Sequence, residues 1–168
     1  VTGSDLAMTP SANYNGSAQV TVTVTDGFLT DSETFTLTVT PVNDAPVLSD
    51  IGDQVTSEDN QLTISLIGTD IDGDVLSYSA VSDNNNVVVS VTGDDLTMTP
   101  SANYNGSAQV TVTVTDGFLA DSETFTLTVT PVNDAPIISH IAHQETYEDY
   151  PLTISLNGTD VDGDDLSF

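Results

Sequence analysis

The chain has 168 residues, of which 26 are Asp or Glu and none is Lys or Arg, so its formal net charge is −26. So acidic a surface repels nucleic acid, anionic lipid and acidic substrates, and it also repels itself unless salt or bound cations screen it. There is no cysteine, so any folded unit holds together without disulfides, which a unit of about ninety residues can do by burying a core.

Taken in chain order, residues 1–46 carry two alternating runs, Gln19 to Thr25 and Thr34 to Thr40, in which Val, Phe or Leu takes every second position. Period two places one face in a core and the other in water, and Val and Thr are strong strand formers. Pro41 to Pro46 then reads as a linker. From Val47 a fuller set of strands follows: Val47 to Ile51, Leu62 to Leu66, Val75 to Val81, Val87 to Val91, Leu96 to Met98, Gln109 to Thr115 and Thr124 to Thr130. Asp-Gly, Asn-Gly and Pro signals separate them, and no stretch has helical periodicity. Seven short strands in about ninety residues predict an all-β fold, a seven-stranded Greek-key sandwich of immunoglobulin-like type. The expected core contains Leu62, Ile64, Leu66, Tyr78, Met98, Val110, Val112, Val114, Phe118, Phe125 and Leu127. Tyr104 precedes a long strand, where a tyrosine corner is expected.

The strand pattern recurs because the chain repeats itself after ninety residues. Of the 78 positions that can be compared, 62 are identical, and 13 of the 16 differences fall between Val47 and Tyr78 or their copies. The linker Pro41-Val42-Asn43-Asp44-Ala45-Pro46 returns at Pro131 to Pro136. Three parts follow: residues 1–46 as the back half of one repeat, 47–136 as a complete repeat, and 137–168 as the front half of the next. Tandem copies of one unit usually build a stacked array. The phase of the cut suggests a window from a longer repetitive protein, with each half completed by an adjacent copy, in cis or between subunits.

The chemistry lies in recurring acidic clusters: Glu58-Asp59, Asp70-Ile71-Asp72-Gly73-Asp74, Asp116-Gly117 and Asn133-Asp134. Hard cations such as Ca²⁺ take six to eight oxygen ligands, and Asp-x-Asp in an extended loop can aim two carboxylates at one ion. The spacing is not that of an EF-hand, because Gly73 comes fourth in the loop and Val81 stands at the twelfth position. The alternative for each cluster is plain turn chemistry.

Val-Asn-Asp-Ala-Pro at the unit boundary, Thr-Asp-Ile-Asp-Gly-Asp in the loop at 69–74 and Val-Thr-Asp-Gly after a long strand, in that order, resemble cadherin repeats. They resemble more closely the cadherin-like tandem repeats of large secreted bacterial adhesins. The resemblance spans essentially the whole chain. It implies Ca²⁺ at the junctions between units, stiffening an extracellular or cell-surface rod or filament. The first junction would use Asn43, Asp44, Asp70, Asp72 and Asp116. The second would use Asn133, Asp134, Asp160 and Asp162, with Glu58 reaching from the unit before it. Cadherins carry a further acid in a Leu-Asp-Arg-Glu segment, whereas Thr99 to Gly106 holds none.

Other features have milder readings. His140 and His143 replace Asp50 and Asp53 of the complete repeat and read as exposed substitutions. Asn15, Asn105 and Asn157 open Asn-Gly-Ser/Thr triplets, which are formal N-glycosylation acceptors as well as turns. The complete repeat has no Lys, Arg, His or Cys, so a nucleophile would lack any base but carboxylate, and no enzyme is expected. The rows Thr111, Thr113, Thr115 and Thr124, Thr126, Thr128 offer a second function, a Thr-rich strand face that binds carbohydrate or ice.

Overall fold

The computed structural model describes residues 3–168; Val1 and Thr2, the start of the first repeat half, lie outside the described residues. No helix occurs among the described residues. The strands in chain order are β1 (Gly16–Thr25), β2 (Thr30–Val39), β3 (Val47–Leu48), β4 (Gln54–Ser57), β5 (Leu62–Ser65), β6 (Gly68–Thr69) and β7 (Ser77–Ser82). They continue with β8 (Val87–Thr92), β9 (Asp95–Pro100), β10 (Gly106–Thr115), β11 (Ala120–Thr130), β12 (Ile137–Ile138) and β13 (Gly158–Thr159).

The complete repeat is a sandwich. One sheet runs β4-β11-β10-β7, and the facing layer is β5-β9-β8 with the short β3-β6 pair beside it. The pairing is antiparallel throughout except for β4, which lies parallel to β11 (Leu127 opposite Gln54). Nine strand segments build seven strands, since the first strand is split into β3 and β4 and the second into β5 and β6. Gly52, at φ +63°, makes the first split: it lets the chain leave β3 and join the opposite sheet as β4.

Period-two alternation in β10 and β11 decides which face is dry. Ala108, Val110, Val112 and Val114 alternate inward with Phe125, Leu127 and Val129, and Leu96, Met98, Val87, Leu66 and Leu48 close the core from the other layer. Phe118 is not among them. It stands at the tip of the β10–β11 turn with 87 % of its surface exposed, because strand alternation ends at Thr115 and the turn Asp116-Gly117 points the next side chain outward. The same turn recurs with Phe28 at the tip of β1–β2.

The tyrosine corner is present. The Tyr104 hydroxyl donates to the Ser107 carbonyl at 3.1 Å and accepts from the Asn84 amide at 2.6 Å. It leans over Gly106, whose φ is +144° and whose absent Cβ would fall 2.7 Å from the Tyr104 oxygen. Gly106→Ala therefore combines a backbone conformation open chiefly to glycine with a clash. The expected loss is about 1–3 kcal/mol, read from urea unfolding.

The outer halves repeat these elements without the opposing layer. β1 and β2 pair in the register of β10 and β11, with Val20 opposite Phe35 as Val110 is opposite Phe125. Beyond the second linker, among the described residues, only β12 and β13 pair, Ile137 with Thr159. The residues that copy β5, Leu152 to Ser155, form no ladder among the described residues.

Candidate metal centre

Two junctions gather the acidic motifs, and each is built from a linker and the repeat that follows it. At the first, the loop between β6 and β7 wraps around one carboxylate: Asp70 Oδ1 accepts from the backbone N–H groups of Asp72 (2.8 Å), Gly73 (3.0 Å) and Asp74 (3.3 Å). Gly73, at φ +81°, permits this tight wrap. Carboxylate oxygens of Asp70, Asp72 and Asp74 lie within 4.8 Å of one another. Asp72 Oδ2 accepts from the Asp44 backbone N–H at 2.8 Å, which ties the linker to the loop. Asn43 donates through its Nδ2 to Asp116 Oδ2 at 2.8 Å. In this arrangement Asn43 positions Asp116; it would offer its oxygen to a cation only with the amide turned over.

The second junction repeats the design. The Asp134 backbone N–H donates to Asp162 Oδ2 at 2.7 Å, and Asp162 N–H donates to Asp160 Oδ1 at 2.9 Å. Asn133 turns its Nδ2 to the Asp134 carbonyl at 2.9 Å. Glu58 reaches this junction from the complete repeat: it is 2 % exposed, and its Oε1 accepts from the Val132 backbone N–H. Asp59 joins it, at φ +61°, with Oδ1 accepting from Asn103 N–H at 3.1 Å.

Electrostatics set the two junctions apart. Asp116 is held below the ordinary carboxylate range, first by the Asn43 side chain and then by the N–H groups of Leu119 and Phe118. Asp134 is pushed up, first by loss of water and then by the negative charges of Asp162, Asp59, Glu58 and Asp160. These charges act on Asp134 in a chain with no Lys or Arg, whereas at the first junction Asp70, Asp72 and Asp74 are the carboxylates that come within 4.8 Å of one another. Each junction also holds a buried carboxylate oxygen without a hydrogen-bond partner: Asp70 Oδ2 at the first and Asp134 Oδ2 at the second. An oxygen-only donor set with one orphaned buried oxygen per site fits a hard divalent cation.

A second acidic group lies on the β11 edge. Glu123 is raised, chiefly by a shared hydrogen bond with Asp50, although its Oε2 accepts from Ile51 N–H at 3.1 Å. Asp121 and Asp53 accept from the backbone N–H groups of Leu48 (2.9 Å) and Thr126 (2.8 Å), so here carboxylates fasten the split first strand to β11. The pH dependence of the metal-free chain follows. Asp134 and Glu123, whose folded-state pKa values are raised, weaken the fold above those values, and the penalty is relieved as pH falls through them. Asp116 and Asp26, which are depressed, stabilise above the ordinary range, and that stability is lost as pH falls through their lowered values. Metal-free unfolding temperature is expected to rise on mild acidification from neutrality and fall again in stronger acid, as differential scanning fluorimetry across pH would record.

The remaining sequence-based candidates are simply placed. Asn15, Asn105 and Asn157 are exposed. His140 and His143 are exposed as well, and His143 Nε2 sits 3.7 Å from Glu145 Oε1. The Thr rows face outward and pair across the strands, Thr111 with Thr124 and Thr113 with Ser122, both at 2.8 Å.

Fold and site together define a class: an all-β immunoglobulin-like module, in a tandem chain with carboxylate-lined joints between copies. Residues 43–130 match the family described as bacterial Ig domain, just over half of the chain, and the chain belongs to that family. Such domains are common in extracellular and surface proteins, and the family is typically non-catalytic. Chitinase A of Pseudoalteromonas piscicida is 32 % identical over 127 residues, covering 71 % of this chain but only 15 % of that protein. Among solved structures, human protocadherin-24 EC1-2 aligns with a TM-score of 0.47 and 21 % identity over 71 % of this chain and 61 % of that one. An endo-fucoidan hydrolase of glycoside hydrolase family 107, MfFcnA4, aligns with a TM-score of 0.42 and 20 % identity over 74 % of this chain and 20 % of that one. No helix among the described residues is long and apolar enough to cross a membrane.

Proposed function

We propose that this chain is a structural module of an extracellular rod or filament whose joints are closed by Ca²⁺. The observation that carries the reading is the first junction, where carboxylate oxygens of Asp70, Asp72 and Asp74 lie within 4.8 Å of one another, Asp70 Oδ2 is buried without a partner, and the linker's Asp44 N–H holds Asp72, in a chain with no Lys or Arg; Asp134, Asp160 and Asp162, with Glu58 and Asp59, would hold an ion at the second. Asp70, Asp72 and Asp74 with Asp44 and Asp116 would hold an ion at the first junction. A bound Ca²⁺ supplies positive charge and strong oxygen coordination. The chain's own residues do the rest: Asp44 and Asp134 N–H groups orient the loop carboxylates, and Asn43 orients Asp116.

Calorimetric titration of Ca²⁺ into chelator-stripped protein tests this. Saturable binding at more than one site is expected, and Asp134→Asn should remove the second-junction site while leaving the first. Binding that is unsaturable, or unchanged in that variant, overturns the reading.

The paired hydroxyls of the β10–β11 outer face favour a second reading, a flat face for carbohydrate or ice. The likeness to a chitinase directs the carbohydrate test to chitin. Retention on chitin or ice that is lost when Thr111, Thr113 and Thr124 are changed to Val or Leu would support it; no retention removes it.

A further inference from the structure

The two side walls of the complete repeat differ. On one wall β7 and β8 pack against each other at the open edges of the two layers. Among the described residues each has a single hydrogen-bonded neighbour, β10 for β7 and β9 for β8. Ser77–Ser82 and Val87–Thr92 hold no charged side chain and no proline, in a chain of net charge −26. On the other wall β4 lies between Asp53 and Glu58, and the carboxylates of Asp53, Asp121 and Glu123 fasten the first strand to β11. Charges and proline are the usual guards of a sheet edge, and β8 has neither. Its run Val-Val-Val-Ser-Val-Thr is also rich in the β-branched residues that favour strand pairing.

The β8 backbone is arranged for a partner. The Ser101 N–H donates to the Asn86 carbonyl at 2.7 Å, so Asn86 and Ser101 form a bonded pair that continues the β8–β9 register. Alternation along an antiparallel ladder then turns the N–H and C=O groups of Val88 and Ser90 to β9 and those of Val89 and Val91 to the open side. The Val87 N–H is spent on the Asn84 carbonyl at 2.9 Å, and its own carbonyl faces out. The side chains of Val89 and Val91 are half-buried at the margin of the core, and Val88 is 62 % exposed on the outer face.

We infer that β8 pairs antiparallel with β8 of a second copy of this chain, about a two-fold axis at Val89, joining the two β5-β9-β8 layers into one continuous sheet. The register follows from the residues. With Val89 opposite its own copy, Val87 lies opposite Val91 and Val88 opposite Ser90. The apolar row stays toward the two cores, the outward backbone groups of Val87, Val89 and Val91 meet, and Gly93, at φ +64°, remains outside the pairing. A shift of one residue would set Val88 opposite Val91 and turn the two rows to opposite faces. Charge selects the occupant. Two chains this acidic repel each other wherever carboxylates meet, and this wall brings none into the ladder. A basic partner would be drawn instead to the acidic junctions. The pairing needs no metal, and its failure would leave the cation-binding reading standing.

Sedimentation velocity of the full chain, with chelator and high salt to screen its acidic ends, tests the pairing. The unmodified chain is expected to form a dimer, and nothing larger, as its concentration rises to the millimolar range. Amide hydrogen exchange should slow at Val89 and Val91 as the dimer forms and stay constant at Val88 and Ser90, which β9 already holds. Val88→Asp combined with Ser90→Asp sets carboxylates directly opposite one another on the water face without touching the core. That variant should raise the dimer dissociation constant about tenfold. Val55→Asp, at a position equally exposed on the opposite wall, should leave the constant unchanged. A chain that stays monomeric overturns the proposal and leaves the edge to a strand of a different protein. So does growth beyond two copies, a dimer that ignores the paired substitution or is equally weakened by Val55→Asp, or one in which the Val89 and Val91 amides still exchange freely.

Discussion

Saturating Ca²⁺ is expected to raise the unfolding temperature of the chelator-treated chain by about 10 °C and to narrow the spread of angles between its units. The shift can be sized. Extracellular calcium modules bind with dissociation constants of about 10⁻⁴–10⁻³ M. In roughly 10 mM Ca²⁺, one site contributes about 1.4–2.7 kcal/mol to the folded state. A unit of this size gains about 4–8 °C per kcal/mol. The direction comes from Asp134, whose carboxyl is pushed up first by loss of water and then by the charges of Asp162, Asp59, Glu58 and Asp160, so its ionised form is disfavoured in the metal-free fold at neutral pH. A divalent ion there removes that penalty and gives the orphaned Oδ2 a partner. Sodium chloride at matched ionic strength is the decisive control. If it gives the same shift, screening of the overall charge is sufficient and the junctions hold no specific ion. Small-angle scattering follows the stiffening, since an ion spanning Asp134, Asp160 and Glu58 locks two units and a linker in one geometry. Acid is expected to undo the calcium effect, because protonated carboxylates release the ion. The calcium-loaded and metal-free chains should therefore respond with opposite sign to mild acidification.

Strand identity was legible in the sequence wherever alternation runs unbroken. Gln109 to Thr115 and Thr124 to Thr130 fall within β10 and β11, and their apolar positions are the core. The acidic motifs were legible as motifs, and their assembly at joints came with the cadherin-like order in which they occur. What was not legible depends on long-range placement. Phe118 has the composition of a core residue, but it follows a turn rather than continuing a strand. Alternation carries no information past the point where the chain reverses. Leu96 and Val87 stand outside the expected core because the runs Leu96 to Met98 and Val87 to Val91 are too short for alternation to fix the dry face, whereas Val129 continues the phase of Phe125 and Leu127 and was legible there. Glu58-Asp59 was legible as an acidic cluster, but not the left-handed backbone of Asp59, at φ +61°, which a Glu-Asp pair does not announce. Glu58, named by resemblance, proves buried because the linker returns Val132 to its carboxylate. The split of the first strand was not read from the sequence, which placed one strand over Val47 to Ile51 and none over Gln54 to Ser57.

The repeat also provides its own control for packing energy. Leu96→Ala is expected to lower the stability of the complete unit by about 2–5 kcal/mol, the range for a fully buried leucine whose cavity cannot collapse. Leu96 is wholly enclosed between Leu62, Ile64 and Val91 on its own sheet and the valines of β10 across the core, so little can move in to fill the space. Leu6→Ala removes the same atoms from an almost identical stretch of sequence. In dilute protein it should change stability by no more than about 0.5 kcal/mol, as surface substitutions do, because Leu6 has no opposing layer. Chemical denaturation of both variants measures the difference. Equal effects would mean that residues 1–46 bury their apolar face within the isolated chain. A large effect at Leu96 alone would show that a repeat gains its stability only when both sheets are present. Residue identity then counts for less than whether the second layer has arrived.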